Sequence, residues 1–396
     1  MLVLFSSYIF STPYFSDRKP FNYLVYGIFA LFTIIVVAYR FLFYDYKKTN
    51  LRIATMPLFA VFSSIGTILL SHQFRYLLTV VLLAFSFVII FFMLEQVGNN
   101  DLIIRLAIYS LTLFVFLFVL HYRKDILSFS NFGSNRLAVD NYFDNVNTVA
   151  YYFAGCCILS LYYAFFSKKT INLLFLIPFV VSFYVGILTA SRTFLVGVTL
   201  SSLTIFIIRF KKKPIVLIIG LVVIIAGVVL LFTLPTFSML KKRLIDMFNM
   251  MTGLNYSTDY STATRILWQD YATYFGSRHL IFGVGLNGFY VYSGTDTYSH
   301  ANITELLCNT GVVGLLLYYS IFFVAFYDLI DKKNKYNPII ITLLVFLISR
   351  EFLGVTYTSK FNAFVFAFIS YSGSLGIYKK SKNNNVLKND YCLIKI

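Results

Sequence analysis

Apolar segments of membrane-spanning length recur along the whole chain, with short polar connections between them. They lie at 22–43, 53–71, 76–94, 102–121, 148–166, 171–190, 193–210, 214–233, 301–327, 337–356 and 360–378. A helix of about 20 apolar residues crosses the hydrocarbon core of a bilayer, and lipid offers the backbone no other hydrogen-bond partners. With a shorter block at 1–16, which contains Pro13, the pattern predicts an all-α polytopic membrane protein with 11 or 12 transmembrane helices.

The composition agrees with a membrane protein. Of 396 residues, 59% are hydrophobic and 12% are charged, whereas soluble proteins carry about 25% charged residues. Residues 1–16 lack a basic n-region and a small-residue cleavage site, so we do not interpret them as a removable signal peptide. Whether this block spans the membrane is left open. The four cysteines, at 156, 157, 308 and 392, have no metal-ligand spacing, so neither a zinc site nor a disulfide framework is expected.

Basic residues form small clusters in the connections between the apolar segments. They lie at 47–52, 168–169, 209–213, 332–335 and 379–382, and all fall on one side if the spans alternate. The positive-inside rule predicts that this side is the cytoplasm. Topology and anionic lipid therefore account for the net charge of +17 without a nucleic-acid partner. We predict a single integral membrane domain with a disordered cytoplasmic tail at 379–396, and with the long polar segments 122–147 and 234–300 outside the cytoplasm.

The segment 234–300 is too long for a simple connection, so short helices of its own are expected. Residues 240–251 place apolar side chains on one helical face and the basic residues 241–243 on the opposite face, as in a helix that lies in the membrane interface. "STATRILWQDYATYF" predicts a second helix with Ser261 or Thr262 as its N-cap, and Arg265 and Trp268 share a face of it. "GVGLNG" at 283–288 matches a dinucleotide-binding fingerprint, but no βαβ unit surrounds it. We interpret it as a tight turn that needs glycine.

Arginine residues accumulate on the predicted outward face. Arg192 stands between two consecutive spans, and Arg350 lies at the end of another. An ionisable residue at such a place is costly to hold and is a functional candidate, although each arginine alone is explained equally well by snorkelling to lipid phosphate. Guanidinium groups bind phosphate oxygens in bidentate fashion, so several of them favour a phosphate or diphosphate ligand. The arginines of this face are Arg123, Arg136, Arg192, Arg265, Arg278 and Arg350.

Polar side chains also gather immediately before the apolar segment 301–327. Asn302 and Glu305 have the spacing of a capping box, so a helix cap is one interpretation and a reaction centre is the other. His300 precedes them, and the ordinary pKa of histidine suits it to accept a proton from a hydroxyl group.

Four motifs in order make the chain similar to a known family. They are "SRT" at 191–193, "TRILWQDY" at 264–271, "IFGVGLNGF" at 281–289 and "SHANITELLCNTGVVGLLLYY" at 299–319. Together they resemble the O-antigen polymerase and O-antigen ligase family of bacterial membrane glycosyltransferases. "DNYFDNVNTVAYY" at 140–152, with Arg136 upstream, is similar to the beginning of another span in that family. The family's motif residues fall here on Arg192, Arg265, Trp268, Gly283, Gly285, His300, Asn302, Gly311 and Gly314.

The resemblance implies a GT-C-like enzyme that makes capsule, exopolysaccharide or O-antigen. Such a polysaccharide polymerase transfers a glycan from undecaprenyl diphosphate to the hydroxyl of another lipid-linked repeat unit, at the outer face of the cytoplasmic membrane. It needs no cofactor or metal, and a chain-length regulator (polysaccharide co-polymerase) and a flippase are its expected partners. Arg192 and Arg265 would neutralise the departing diphosphate, and His300 would orient or deprotonate the acceptor hydroxyl. The expected substrate-binding residues are Arg136, Arg350, Trp268, Asn302 and Glu305.

Three alternatives to a polymerase remain: a ligase, a flippase, and a non-catalytic membrane scaffold, which would leave the alignment of arginines and histidine unexplained. A ligase uses the same donor and a different acceptor, and the sequence does not separate the two. A lipid-linked oligosaccharide flippase also has many spans and arginines, but transporters of this kind are commonly built from internal repeats. We find no such repeat, and the long outward loop favours an enzyme.

Overall fold

A computed structural model describes residues 51–127, 137, 146–167, 169–234, 238–252, 260–295, 297–330, 332, 334–352 and 354–375. These residues form helices and connections without a strand, which confirms the all-α prediction. The short apolar block at 1–16, the predicted span at 22–43, the tail at 379–396 and most of the connection at 122–147 lie outside the described residues. The helices are α1 (Leu51–Gly66), α2 (Phe74–Val97), α3 (Asn100–His121), α4 (Arg123–Leu127), α5 (Val146–Phe166), α6 (Leu176–Leu188), α7 (Arg192–Phe210), α8 (Pro214–Thr233), α9 (Ser238–Thr252), α10 (Tyr260–Arg278), α11 (Gly288–Ser293), α12 (Asn302–Asp328), α13 (Asn337–Glu351) and α14 (360–375).

Within this described part, seven helices are long and apolar enough to cross a membrane. They confirm a polytopic membrane protein, while a total of 11 or 12 spans stays a prediction. The predicted spans near 214–233, 337–356 and 360–378 correspond to α8, α13 and α14. The seven candidates are Arg52–Ser71, Phe74–Val97, Asn100–His121, Val146–Phe166, Thr170–Leu188, Arg192–Phe210 and Asn302–Asp328.

The centre of the helix bundle is α5, which packs against α3, α6 and α7. Its small residues permit close approach: an added Cβ at Gly155 would lie 2.4 Å from the ring of Phe361 in α14. By contrast, α8 exposes Ile215, Ile218 and Val222, as expected for a helix that faces lipid.

The predicted loop 234–300 contains α9, α10 and α11. The sequence placed the start of α10 too late, because the helix begins at Tyr260 and therefore includes both predicted N-cap residues. α9 is joined to the bundle through Arg243, whose Nη1 donates a hydrogen bond to the carbonyl of Ala190 at 3.1 Å. This contact places α9 beside the start of α7, whereas α10 and α11 pack against α12.

The predicted span 301–327 is not one straight helix, because α12 folds back at Gly311 (φ 65°, ψ −171°). A straight helix would separate residues 302 and 319 by about 25 Å. Nevertheless, Asn302 Nδ2 and the Tyr319 hydroxyl both donate to Oε2 of Glu351. α12 is therefore a helical hairpin with a first arm at 302–310 and a second arm at 312–328.

The glycine-containing turn at 280–285 packs against the break in this hairpin and forms backbone hydrogen bonds on both sides of it. The N–H of Val284 donates to the Cys308 carbonyl at 2.8 Å, and the N–H of Val312 donates to the Leu280 carbonyl at 2.7 Å. Gly283 has φ 67°, and an added Cβ there would lie 2.5 Å from the Cys308 oxygen. The turn therefore binds backbone groups that the broken helix leaves without partners. The tight-turn interpretation of 283–288 is confirmed.

On its other side, the turn packs against the π-helical residues Thr67–Ser71 that follow α1. The contact is made through Leu286, which follows the turn directly. Thr67 Oγ1 accepts the N–H of Leu286 at 2.9 Å, and Ser71 Oγ donates to the Leu286 carbonyl at 3.0 Å. Both hydroxyl residues are buried. The turn is thus fixed between the first described span and the hairpin.

We predict that Gly311→Ala destabilises the protein strongly. The new Cβ would lie 2.4 Å from the Ile281 carbonyl oxygen, at a φ of 65°, and such backbone strain and overpacking cost about 1–3 kcal/mol each. The thermal unfolding of purified protein in detergent measures this loss. Gly227→Ala in α8 is the control, since its Cβ would meet nothing within 4 Å. A Gly311→Ala variant as stable as that control would contradict the hairpin.

Candidate active site

His300 lies in the connection that leads into the first arm of the hairpin. Its φ of 65° is left-handed, which is uncommon for a residue with a side chain. The imidazole stacks on the indole of Trp268, with ring centroids 5.1 Å apart and planes 17° apart. The Tyr298 ring lies 4.3 Å away, centroid to centroid. The imidazole is therefore held in one place by two aromatic neighbours.

Two arginines from separate helices act on this imidazole. Burial is the main cause that lowers the pKa of His300 to about 4, and the positive charges of Arg265 and Arg192 lower it further. Arg265 precedes Trp268 by three residues in α10, so both come from one face of that helix. Arg192 is the first residue of α7, after Ser191, whose Oγ accepts the N–H of Phe194 at 3.4 Å. At neutral pH the imidazole is uncharged, and one ring nitrogen is able to accept a proton.

The two polar residues after His300 have roles that the sequence did not predict. The capping box is wrong, because the N-cap position of α12 is Ala301 and no side chain caps it. Asn302 is fully buried, and its Oδ1 accepts the N–H groups of Thr356 and Tyr357 at 2.8 and 3.0 Å. Its Nδ2 donates to Glu351. These contacts favour a positioning role over the predicted contact with substrate.

Glu305 is likewise buried and fully engaged. Its Oε2 accepts the N–H of Ser299 at 2.6 Å, and its Oε1 accepts a bond from Asn309 Nδ2 at 2.9 Å. Asn309 also accepts the N–H of Phe289 at 3.0 Å, which joins α11 to the hairpin. Glu305 therefore fixes the residue before His300, and each of its oxygens accepts a hydrogen bond from the protein.

The remaining predicted arginines are in different environments. Arg350 is completely buried, donates from Nη1 to Asn362 Oδ1 at 2.6 Å, and lies 3.6 Å from the ring centroid of Tyr151. Snorkelling to lipid phosphate is therefore wrong for Arg350. Arg278 lies over the ring of Tyr274 at 4.4 Å, and Arg136 lies outside the described residues. The structure thus brings Arg192, Arg265, Trp268 and His300 together.

Sequence reasoning missed three contributors to this region: Tyr298, Asn309 and Glu351. Glu351 carried a usable signal, because a carboxylate at the end of an apolar segment is costly and needs an explanation. Tyr298 carried none among the 31 tyrosines of the chain. For metals, the described residues contain no group of three or more His, Cys, Asp or Glu side chains that could hold an ion.

A comparison with known families matches the same part of the chain. Residues 177–319 fit the model of the family Wzy_C, described as O-antigen ligase. This segment includes α7, the three loop helices and most of the hairpin, and with them Arg192, Arg265 and His300. No curated protein matches the chain. The protein is thus a multi-pass membrane protein in which residues 177–319 are similar to the O-antigen ligase family, a similarity that the order of the motifs predicted.

We predict that Trp268 fluorescence reports the protonation of His300. Trp268 is the single tryptophan of the chain, and a stacked imidazolium quenches indole emission more than neutral imidazole does. The pH titration of the purified protein should therefore have its midpoint near 4. Arg265→Gln should raise the midpoint, because a nearby positive charge disfavours the imidazolium. The midpoint should remain below 6.5, because His300 is still buried.

Arg278→Gln, in the same helix, is the matched control and should leave the midpoint unchanged. His300→Asn should abolish the transition. A wild-type midpoint at 6.5, or equal midpoints for Arg265→Gln and the control, would contradict the geometry.

Proposed function

We propose that the protein is a polysaccharide polymerase that uses lipid-linked repeat units. The growing glycan on undecaprenyl diphosphate is the donor, and a hydroxyl group of another lipid-linked repeat unit is the acceptor. The observation that carries this proposal is the placement of the His300 imidazole, stacked on Trp268, beside the guanidinium groups of Arg265 and Arg192. The imidazole can accept the proton of a hydroxyl group, and the two guanidinium groups can bind a diphosphate.

The reaction assigns one task to each group. The acceptor oxygen attacks the anomeric carbon of the donor sugar, and a new C–O bond forms as the bond to the diphosphate breaks. The electron pair leaves with the diphosphate oxygen, where Arg192 and Arg265 stabilise the developing charge. The hydroxyl proton passes to the free nitrogen of His300. Trp268 keeps the imidazole in place through the stack of the two rings.

Binding of the donor would also make His300 a better base. A pKa of about 4 is low for a general base at neutral pH. The two arginines contribute to this low value, and a diphosphate bound between them would offset their positive charge. The pKa of His300 would then rise toward neutrality when the donor is bound. The base is therefore most effective in the complex that is ready to react.

The described function of the matching family supports transfer to a different acceptor as a second candidate. Its model is described as O-antigen ligase, and a ligase would use the same arginines, the same histidine and the same donor. The two reactions differ only in the molecule that supplies the hydroxyl group. We place the site on the outer face of the cytoplasmic membrane, because the basic connections at 47–52, 209–213 and 332–335 fall on the opposite side if the spans alternate.

We predict that purified protein in lipid vesicles converts undecaprenyl-diphosphate repeat units into a ladder of longer glycans, with a chelator present. His300→Ala should reduce the rate by about 100-fold or more, as expected for loss of a general base. Arg265→Ala should reduce it by a similar factor, about 100-fold, through loss of charge stabilisation. Gel electrophoresis of the glycans measures the product.

Arg278→Ala is the control in the same helix and should make the normal ladder. Normal ladders from the His300 or Arg265 variants would refute the site, and a strict metal requirement would refute the leaving-group chemistry. If transfer occurs only when a second type of acceptor is added, the protein is a ligase and not a polymerase.

A further inference from the structure

The segment that carries His300 is held on both sides by buried carboxylates. On one side, the N–H of Ser299 donates to Glu305 Oε2 at 2.6 Å. On the other side, Asn302 donates to Glu351. Ser299 and Asn302 are both completely buried. Between these two fixed points, His300 adopts its left-handed conformation, which persists only when the surroundings enforce it.

Glu351 connects three parts of the fold that meet beside this segment. Besides Asn302 from the first arm, it accepts a hydrogen bond from the Tyr319 hydroxyl of the second arm at 2.6 Å. Its other oxygen accepts one from Thr356 Oγ1 at 2.7 Å. All three donors are uncharged, and the neighbouring Arg350 donates to Asn362 instead. Among the described residues, Glu351 therefore acts as an acceptor of neutral hydrogen bonds and forms no ion pair.

Asn302 transmits this arrangement to the backbone. Its Oδ1 accepts two N–H groups, from Thr356 and Tyr357, while its Nδ2 faces the carboxylate of Glu351. The side chain must therefore accept at one end and donate at the other. If the donor end loses its acceptor, a buried N–H group is left unpaired, which is unfavourable.

We infer that Glu351 is a positioning residue for His300, which it holds against Trp268 through Asn302. The carboxylate is not in contact with the imidazole, and it acts on the backbone two residues away. Without it, the strained segment is free to relax to an ordinary negative φ, and the imidazole leaves the indole. The effect on glycan transfer rests on the proposed function, whereas the effect on the ring stack does not.

The test is Glu351→Met, which keeps the length of the side chain and removes the oxygen that accepts from Asn302 Nδ2. We expect the pH midpoint of Trp268 fluorescence to move from about 4 toward 6.5, or the transition to disappear as the rings separate. In the vesicle assay, kcat should fall by about tenfold or more, because a displaced imidazole is no longer oriented for the reaction. The KM for the donor should change little, because the arginines that bind the diphosphate are not altered.

The conservative variant Glu351→Gln separates positioning from a general loss of the carboxylate. Its amide oxygen can accept from Asn302 and Tyr319, and its N–H₂ group can donate to the Thr356 hydroxyl, which then accepts instead of donating. We expect both the fluorescence midpoint and kcat to stay close to wild type.

Asp328→Asn is the control, because it replaces a different buried carboxylate, which lies at the end of α12 and pairs with Arg52. It should lower the melting temperature without moving the fluorescence midpoint. A normal midpoint in Glu351→Met, or a midpoint in Glu351→Gln that is displaced as far as in Glu351→Met, would overturn the inference. If the wild-type protein makes no glycan but the Glu351→Met variant still shifts the fluorescence midpoint, the proposed function is refuted and the positioning role is not.

Discussion

The fold-back of α12 at Gly311 is the constraint on which the site depends. A helix that breaks inside a membrane protein exposes backbone groups that lipid cannot satisfy. Here the turn at 280–285 satisfies them, through hydrogen bonds at both Cys308 and Val312. The break and the turn therefore require each other. Because the turn continues directly into α11 and then into Tyr298 and His300, the same contact also sets where the imidazole lies.

The catalytic chemistry that we propose follows from the convergence of three elements at this place. α10 contributes Arg265 and Trp268, α7 contributes Arg192, and the hairpin contributes His300. Each residue alone has an ordinary explanation, such as a lipid contact or an aromatic pair. Their combined effect is specific, because two cations beside a buried imidazole keep it uncharged and leave a region of positive potential next to it. An anion that enters this region would both be bound and increase the basicity of the imidazole.

The sequence predicted much of this arrangement and missed the rest for identifiable reasons. Hydropathy was sufficient for the membrane helices, because a run of apolar residues has one stable form in lipid. The order of motifs was sufficient to select Arg192, Arg265, Trp268 and His300. The hairpin was missed because the residues around Gly311 are as apolar as a continuous span, and only its φ identifies the break. Asn302 and Glu305 had capping spacing, but their partners, Glu351, Thr356 and Ser299, are set by tertiary contacts that local spacing does not encode.

The central claim is that Arg192 and Arg265 hold a diphosphate beside His300. The most direct measurement is the pH titration of Trp268 fluorescence with and without undecaprenyl diphosphate, in the wild-type protein. If the diphosphate binds at the two arginines, the midpoint should rise from about 4 toward 6.5 as its charge offsets theirs. An unchanged midpoint at a saturating concentration of the lipid would contradict the account.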